Sequence, residues 1–507
     1  MNQKKIGIIL SYASEIIKIL SALFYTPIML RLLGHSEYGL FQLVNSVVSY
    51  LGLLSLGFTA SYVRFYSRFK AEKQDEEIAR LNGMFLTIFC IIALIAILCG
   101  SVMIYNIEGI FRTGLTPDEY GKARILMAMM VLNLAITFPN SVFNCITGAH
   151  ERFFFQRMLT VLQNIFNPFL TMPLLLMGYG SIGMVAVTTF ITVCTIIANI
   201  YYVLHKMHEK FLFKNFRFDL FKNIFGFTFF IFLNQIVDQI NWSVDKFMLG
   251  RFLGTTAVAV YGLGAQINTM YVQLSSSISS VFVPQVNRIV AERNDNHELS
   301  NLFIRIGRIQ FVFLSLVMTG FIFFGQPFMR FWGGTGYEES YFVALFLIIP
   351  VTVPLIQNIG IEIQRAKNMH KTRSLVYFVI AIGNIIISIP LIQSFGPTGA
   401  AIGTAISLIA GNILFMNWYY DKRIGLEIMR FWNNIISFLP AFIIPLIVGI
   451  IIMRFVAINS LLSLVFMGLL YILVYCTSMW FFGMNQQEKD LIANSFQRII
   501  NRSLPND

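Results

Sequence analysis

The chain has 507 residues, of which 56% are hydrophobic and only 12% charged, with a mean hydropathy of +0.70. A soluble domain carries about 25% charged residues, so this chain lacks the charge to cover a water-facing surface, and its solvent is lipid. The net charge of +12 would suit nucleic acid only if Lys and Arg formed stripes on a soluble fold; they do not, and no nucleic-acid partner is expected.

A bilayer core about 30 Å thick takes roughly 20 apolar residues per helix. In chain order, spans are predicted near 7–30, 38–63, 81–105, 122–147, 158–178 and 181–205. A second set falls near 223–250, 255–283, 301–329, 341–364, 374–394 and 398–420, and two more near 432–453 and 460–482. Lys4 and Lys5 resemble the start of a signal peptide. The apolar stretch behind them is far longer than the roughly 7–15 residues of a cleavable segment, so it reads as a retained helix. Cys90, Cys99, Cys145, Cys194 and Cys476 lie in or beside spans with no metal or CxxC spacing, and read as packing residues.

An all-α membrane protein of fourteen transmembrane helices places both termini on one side. Of 37 Lys and Arg residues, 28 then fall on the side of the N-terminus and seven on the other. Positive residues mark the cytoplasmic side, and a wrongly counted helix would reverse the bias downstream of it. The loops are short, which leaves no room for an extramembrane catalytic domain, and no enzymatic activity is expected. Residues 206–222 mix Lys and Arg with Phe211, Phe213, Phe216, Phe218 and Phe221. That composition suits the membrane interface and equally an ordinary basic loop.

The chain resembles itself at an offset near 220. Span one ends in Met29-Leu30-Arg31-Leu32-Leu33-Gly34 before Tyr38-Gly39-Leu40; span seven ends in Met248-Leu249-Gly250-Arg251-Phe252-Leu253-Gly254 before Tyr261-Gly262-Leu263. Pro139 has a counterpart in Pro354, and Asn167, Pro173, Gly180 and Gly183 are echoed by Asn384, Pro390, Gly396 and Gly399. The expected organisation is two pseudo-symmetric six-helix bundles, 1–205 and 223–420, joined by an interfacial linker at 206–222. Helices thirteen and fourteen follow in 421–483, then a cytoplasmic tail at 484–507. Parallel repeats of this kind let transporters rock around a central site.

Polar stripes run along several spans. Asn234, Asp238, Asn241 and Asp245 recur at intervals of four and three, on one helical face. Span four carries Asn133, Thr137, Asn140, Asn144 and Thr147; span eight carries Gln266, Thr269, Gln273, Ser276 and Ser280. Span two has Gln42, Asn45 and Ser49, and span one has Ser11, Glu15, Lys18 and Tyr25. Ser and Thr stripes read as helix–helix glue, worth about 0.6 kcal/mol per contact. A charge at mid-bilayer costs about 2.5–3.5 kcal/mol on insertion scales, so glue does not account for Glu15, Lys18, Asp238 and Asp245. Glu15 and Lys18 could also neutralise each other at i, i+3. The candidate cavity residues are therefore Glu15, Lys18, Asn45, Asn140, Asn144, Asn234, Asp238, Asn241, Asp245, Lys246, Gln266 and Gln273. Arg64, Arg288 and Arg365 are weak candidates for a cavity mouth, the topology signal alone being the favoured reading. No catalytic or metal-ligating set is evident.

The run Ser243-Val244-Asp245-Lys246-Phe247-Met248-Leu249-Gly250-Arg251-Phe252-Leu253-Gly254 with Val260-Tyr261 resembles the Asp-Arg-x-x-Leu-Gly-x-x-x-Gly and Gly-x-Tyr element of the multidrug/oligosaccharidyl-lipid/polysaccharide (MOP) exporter superfamily. Lys246 stands in the usual Arg position, and the Gly before Tyr261 is replaced. Pro27, Arg31, Leu33, Gly34, Tyr38 and Gly39 are similar to that family's first-helix ending. The chain resembles the polysaccharide-transport branch, whose nearest members are the Wzx-type O-antigen and capsule flippases. The resemblance implies a V-shaped, MATE-like pair of six-helix lobes with two additional helices. It implies movement of an undecaprenyl-diphosphate-linked oligosaccharide from the inner to the outer leaflet of the bacterial cytoplasmic membrane. The expected mechanism is alternating access, without a cofactor and with H+ or Na+ coupling. Expected partners are that lipid-linked oligosaccharide, membrane lipid, and a polysaccharide polymerase with other assembly proteins; the expected state is a monomer. A MATE-like drug/cation antiporter and a lipid II flippase remain alternatives.

Overall fold

The computed structural model describes residues 3–111, 114–213, 228, 232, 235–237, 239–240, 243–367 and 369–490. Among them every regular element is a helix. Lipid offers no partner to a bare backbone N–H or C=O, so spanning segments must bond internally, as helices do. Helices α1 (Gln3–Ser49), α2 (Phe58–Ala71), α3 (Asp75–Tyr105), α4 (Ile107–Phe111), α5 (Pro117–Ala149), α6 (Phe153–Leu176) and α7 (Gly180–Tyr201) are followed by α8 (Thr255–Ser279) and α9 (Val283–Glu292). Then come α10 (Asn296–Trp332), α11 (Ser340–Ile356), α12 (Asn358–Ala366), α13 (His370–Leu408), α14 (Ile428–Ile436), α15 (Leu439–Phe455) and α16 (Leu461–Ser478).

Eight helices among the described residues are long and apolar enough to cross a membrane, or up to ten if two bent pairs each count as one span. Two of the eight, Ala13–Ser55 and Thr372–Ile424, run 43 and 53 residues. At 1.5 Å per residue these far exceed a 30 Å core. Each is broken at a glycine with positive φ, Gly34 at 74° and Gly396 at 60°, where the predicted spans also divide. The first half of predicted span seven falls largely outside the described residues.

The repeat read from the sequence reappears in backbone geometry. Gly254, the counterpart of Gly34, has φ 86°, and Gly180, the counterpart of Gly396, has φ 55°. Only glycine enters this region at low cost. The next pair is alike too. A Cβ on Gly183 would meet the Leu174 side chain at 3.2 Å, and one on Gly399 would meet the Leu391 carbonyl oxygen at 1.9 Å.

The chain divides into two compact units. The first comprises Met1–Leu263, Trp332–Gly336 and Tyr377–Gly403; the second comprises Gly264–Phe331, Tyr337–Val376 and Thr404–Asp507. In the first unit, α5 starts with a capping box between Thr116 and Glu119 and a proline in its first turn, an arrangement that satisfies otherwise orphaned N–H groups. Its core is aromatic: Phe58, Tyr62, Phe85, Phe89 and Phe138 are all buried. Tyr62 meets Phe85 edge-on with centroids 5.2 Å apart, a favoured quadrupole geometry. In the second unit, Phe323, Phe324, Phe442, Tyr471 and Tyr475 form a core between α10, α15 and α16. The outer faces of α15 and α16 expose Ile443, Ile447, Ile450, Leu462, Phe466 and Leu473, as helices facing acyl chains do. The packing role expected of the cysteines holds for Cys145; Cys90, Cys99, Cys194 and Cys476 are exposed, on helices whose outward residues are apolar.

Candidate functional site

Span seven's polar stripe is only partly described: Asn234, Asp238 and Asn241 lie outside the described residues, and Asp245 and Lys246 lie within them. Asp245 is 1% exposed and its Oδ2 accepts a hydrogen bond of 2.6 Å from the Tyr261 hydroxyl. Lys246 points elsewhere. Successive helical residues are about 100° apart, and Lys246 Nζ donates to Gln42 Oε1 at 3.1 Å. Gln42 Nε2 in turn donates to the Tyr38 hydroxyl at 2.7 Å. One turn earlier, Gln239 Nε2 donates to Ser49 Oγ and to Ser243 Oγ, 2.7 Å away. Gln239, Ser243 and Lys246 therefore share one face, zipped to α1 through Ser49 and Gln42. Among the described residues no carboxylate pairs with Lys246, and its hydrogen-bond partner is an amide oxygen.

Close helix approach makes this ladder possible. A Cβ on Gly250 would lie 2.3 Å from the Leu43 side chain, and one on Gly39 would lie 1.8 Å from the Thr255 carbonyl oxygen. Small residues at membrane interfaces let backbones meet this way. Just past the break at Gly34, two glutamates anchor the chain. Glu119 accepts from Ser36, from the Thr116 N–H at 2.8 Å and from the Thr255 hydroxyl at 2.8 Å. Glu37 accepts from the Ser181 N–H at 2.7 Å and its hydroxyl at 2.9 Å, and pairs with Lys122 at 3.3 Å.

On α1, Glu15 is half-buried with Oε2 unpartnered, while Lys18 is exposed. They form no ion pair with each other, so the mutual neutralisation open to them at i, i+3 is not realised. Asn45 and Asn144 are exposed and Asn140 is buried. Part of the α5 stripe does serve as glue. Asn199 of α7 donates to Asn140 and to Asn144, each at 3.0 Å, and Asn133 donates to Thr189 at 3.4 Å.

In the second unit, α8 presents Gln266 and Gln273 half-buried, with Thr269 and Ser276 exposed on the same stripe. Its opposite face packs inward, where Tyr271 meets Thr352 at 2.8 Å and Ser275 donates to the Leu355 carbonyl. Of the weak mouth candidates, Arg64, Arg288 and Arg365 are all exposed, and Arg365 pairs with Glu362 at 2.7 Å within its own helix. Sequence reasoning missed Gln239, Glu37 and Glu119. Gln239 lies between stripe positions, and the two glutamates sit at helix ends, where acidic residues are ordinary.

A family model described as polysaccharide biosynthesis protein matches residues 5–290. A protein of Shigella flexneri named as an O-antigen transporter is 20% identical over 404 residues, covering 77% of this chain and 91% of its own. Among solved structures, the lipid II flippase MurJ in an inward closed conformation superposes with a TM-score of 0.72 at 18% identity, over 96% of this chain and 99% of its own. An inward-facing multidrug MATE transporter of the MOP superfamily superposes at 0.65 and 14% identity, over 83% of this chain and 99% of its own. The fold is that of the MOP exporters.

Proposed function

The chain belongs to the polysaccharide biosynthesis protein family, and from that premise we propose that it is a flippase for polyprenyl-diphosphate-linked oligosaccharide. The cargo moves from the inner to the outer leaflet of the bacterial cytoplasmic membrane by alternating access, for O-antigen, capsule or exopolysaccharide assembly. Both termini lie in the cytoplasm and no covalent step is involved.

The observation that carries this reading is Lys246, a cation with no carboxylate partner among the described residues. An ammonium at membrane depth whose described partner is an amide oxygen is costly unless it serves an anion. A diphosphate supplies that anion: a phosphate oxygen in place of the Gln42 amide oxygen would set a full opposite charge, rather than a dipole, against the same Nζ donor. Lys18, exposed on α1 three residues after Glu15, supplies a second cation on the path. Asn45, Asn144, Thr269 and Ser276 offer donors and acceptors suited to sugar hydroxyls. Their exposure supports a hydrated path, because bare polar side chains are disfavoured against acyl chains. Asn234, Asn241, Gln266 and Gln273 extend the same polar lining in the proposal. Glu15, Asp238 and Asp245 are the groups proposed to couple transport to H+ or Na+.

The test is transfer of a fluorescent polyprenyl-diphosphate oligosaccharide across proteoliposomes containing the purified chain. Translocation that Lys246→Met abolishes, in a protein still inserted and folded, supports the reading. Export of cationic dyes without movement of the lipid-linked sugar would replace it with a drug antiporter. Movement of lipid II alone would change the cargo and keep the mechanism.

A further inference from the structure

A cleft of about 470 Å³ opens in the second unit, on residues outside the proposed transport path. Its walls come from the first turns of α10, from α9, from α14 and from residues 485–488. Its lining includes a buried ion pair. Arg308 donates to Glu488 through Nε at 2.6 Å and Nη2 at 2.9 Å, and Nη1 reaches the Asn434 carbonyl at 2.7 Å. Ser437, the Gly483 carbonyl and the Phe438 ring, 4.3 Å from the guanidinium, complete its surroundings. Arg308 is thus fully used in joining α10, α14 and the end of the last span.

Arg305, one turn earlier on α10 and exposed, has no ion pair or hydrogen bond with any described residue. Arg430 reaches the cleft from α14, with its charge shared by Glu427 at 2.9 Å. Asn301 and Asn434 add amide donors, and Glu298 is the one carboxylate in the lining besides Glu488. Arg305, without a described partner, and Arg430, paired with Glu427, thus line the same cleft beside these amides.

The depth of this cleft follows from its walls. α10 has 37 residues, about 55 Å at 1.5 Å each, so it overreaches a 30 Å core and its polar first turns stand at the headgroup level. α14 is bent 42° from α15. It buries Ile428, Phe431 and Ile435 on one face, while Met429, Ile436 and the following Leu439 are 75%, 54% and 61% exposed. An interfacial helix presents apolar side chains to lipid in this way. On the other wall, Phe481 and Phe482 are exposed just before residues 485–488. Apolar groups thus flank the cationic cleft on both sides.

We propose that this cleft binds the headgroup of an anionic membrane glycerophospholipid, its phosphate held by Arg305 and Arg430 and its uncharged polar extension by Asn301 and Asn434. The acyl chains lie along the exposed apolar residues of α14. A free inorganic phosphate satisfies the arginines but not those apolar groups, and the two sources separate by experiment.

The protein is purified in detergent, mixed with phosphatidylglycerol, phosphatidylcholine or inorganic phosphate, and retained ligand is read by native mass spectrometry. The expected result is retention of phosphatidylglycerol over phosphatidylcholine, weakened about tenfold or more in Arg305→Gln/Arg430→Gln. Asn301→Ala, which leaves all charges in place, should weaken it less. Lys246→Met should leave retention unchanged, which separates this site from the transport reading. Equal retention of the two lipids, unchanged retention in the double variant, or complete displacement of lipid by inorganic phosphate would each overturn the proposal.

Discussion

Asp245 and Lys246 are neighbours in sequence, yet the acid is buried against the Tyr261 hydroxyl at 2.6 Å while the base reaches Gln42 at 3.1 Å. The helix sets them about 100° apart, so opposite charges one residue apart do not cancel. One anchors α8 to the preceding helix, and the other carries the charge proposed to meet the cargo's anion.

Tyr261→Phe removes the phenolic donor while keeping the ring. A hydrogen bond to a buried charged group contributes about 1.5–3 kcal/mol. The variant should lose about that much stability, read as a lower thermal midpoint in detergent, with the protein still inserted. An unchanged midpoint would mean that Asp245 does not depend on Tyr261.

Gly34→Ala and Gly39→Ala should differ. At Gly34 a Cβ meets nothing within 4 Å, so the cost is the strain of φ 74°, ψ 175° alone, a region essentially restricted to glycine, about 1–3 kcal/mol. At Gly39 the backbone is helical, but a Cβ would sit 1.8 Å from the Thr255 carbonyl oxygen. That backbone contact cannot rotate away, so Gly39→Ala should lower the thermal midpoint more than Gly34→Ala. The reverse order would contradict the close packing of α1 on α8.

Glu427 lies between membrane segments. Hydrogen bonds from Arg430 first, and then from His297, hold its carboxyl below the usual carboxylate range. A depressed pKa stabilises the fold above the unfolded value and loses that contribution as pH falls through the folded value. The Glu427 N–H also donates to Ser300 at 3.1 Å. Amide exchange across 425–431 should therefore speed up as pH falls through and below the usual carboxylate range, relative to Glu427→Gln, which has no carboxylate to protonate. Equal pH dependence in both proteins would remove the pair from the anchoring of α14.

Asp238→Asn should abolish surface polysaccharide in cells that need this protein, with membrane levels of the protein unchanged. Full activity would exclude Asp238 from coupling.

Much of this architecture is readable from the chain because its cause is local. Apolar runs, glycine breaks and the repeat are all written in neighbouring residues, so Gly34 with Gly254 and Gly180 with Gly396 could be paired before their φ angles were known. The partners of the charges were not legible. Whether Asn140 lines water or binds Asn199 depends on how α5 meets α7, and nothing within either segment states the crossing. Lys246 was a candidate by its charge, but its pairing with Gln42 needed the register between two helices about 200 residues apart. The buried Arg308–Glu488 pair was hidden for the same reason. Each residue alone looks like an ordinary cytoplasmic charge.

The most direct measurement compares wild-type protein with Lys246→Arg and Lys246→Met in proteoliposomes carrying a fluorescent polyprenyl-diphosphate oligosaccharide. The charge-assisted contact is worth about 1.5–3 kcal/mol, which corresponds to about tenfold or more in rate. The account predicts near wild-type translocation for Lys246→Arg and a loss of at least that size for Lys246→Met. Equal translocation by all three proteins would contradict it.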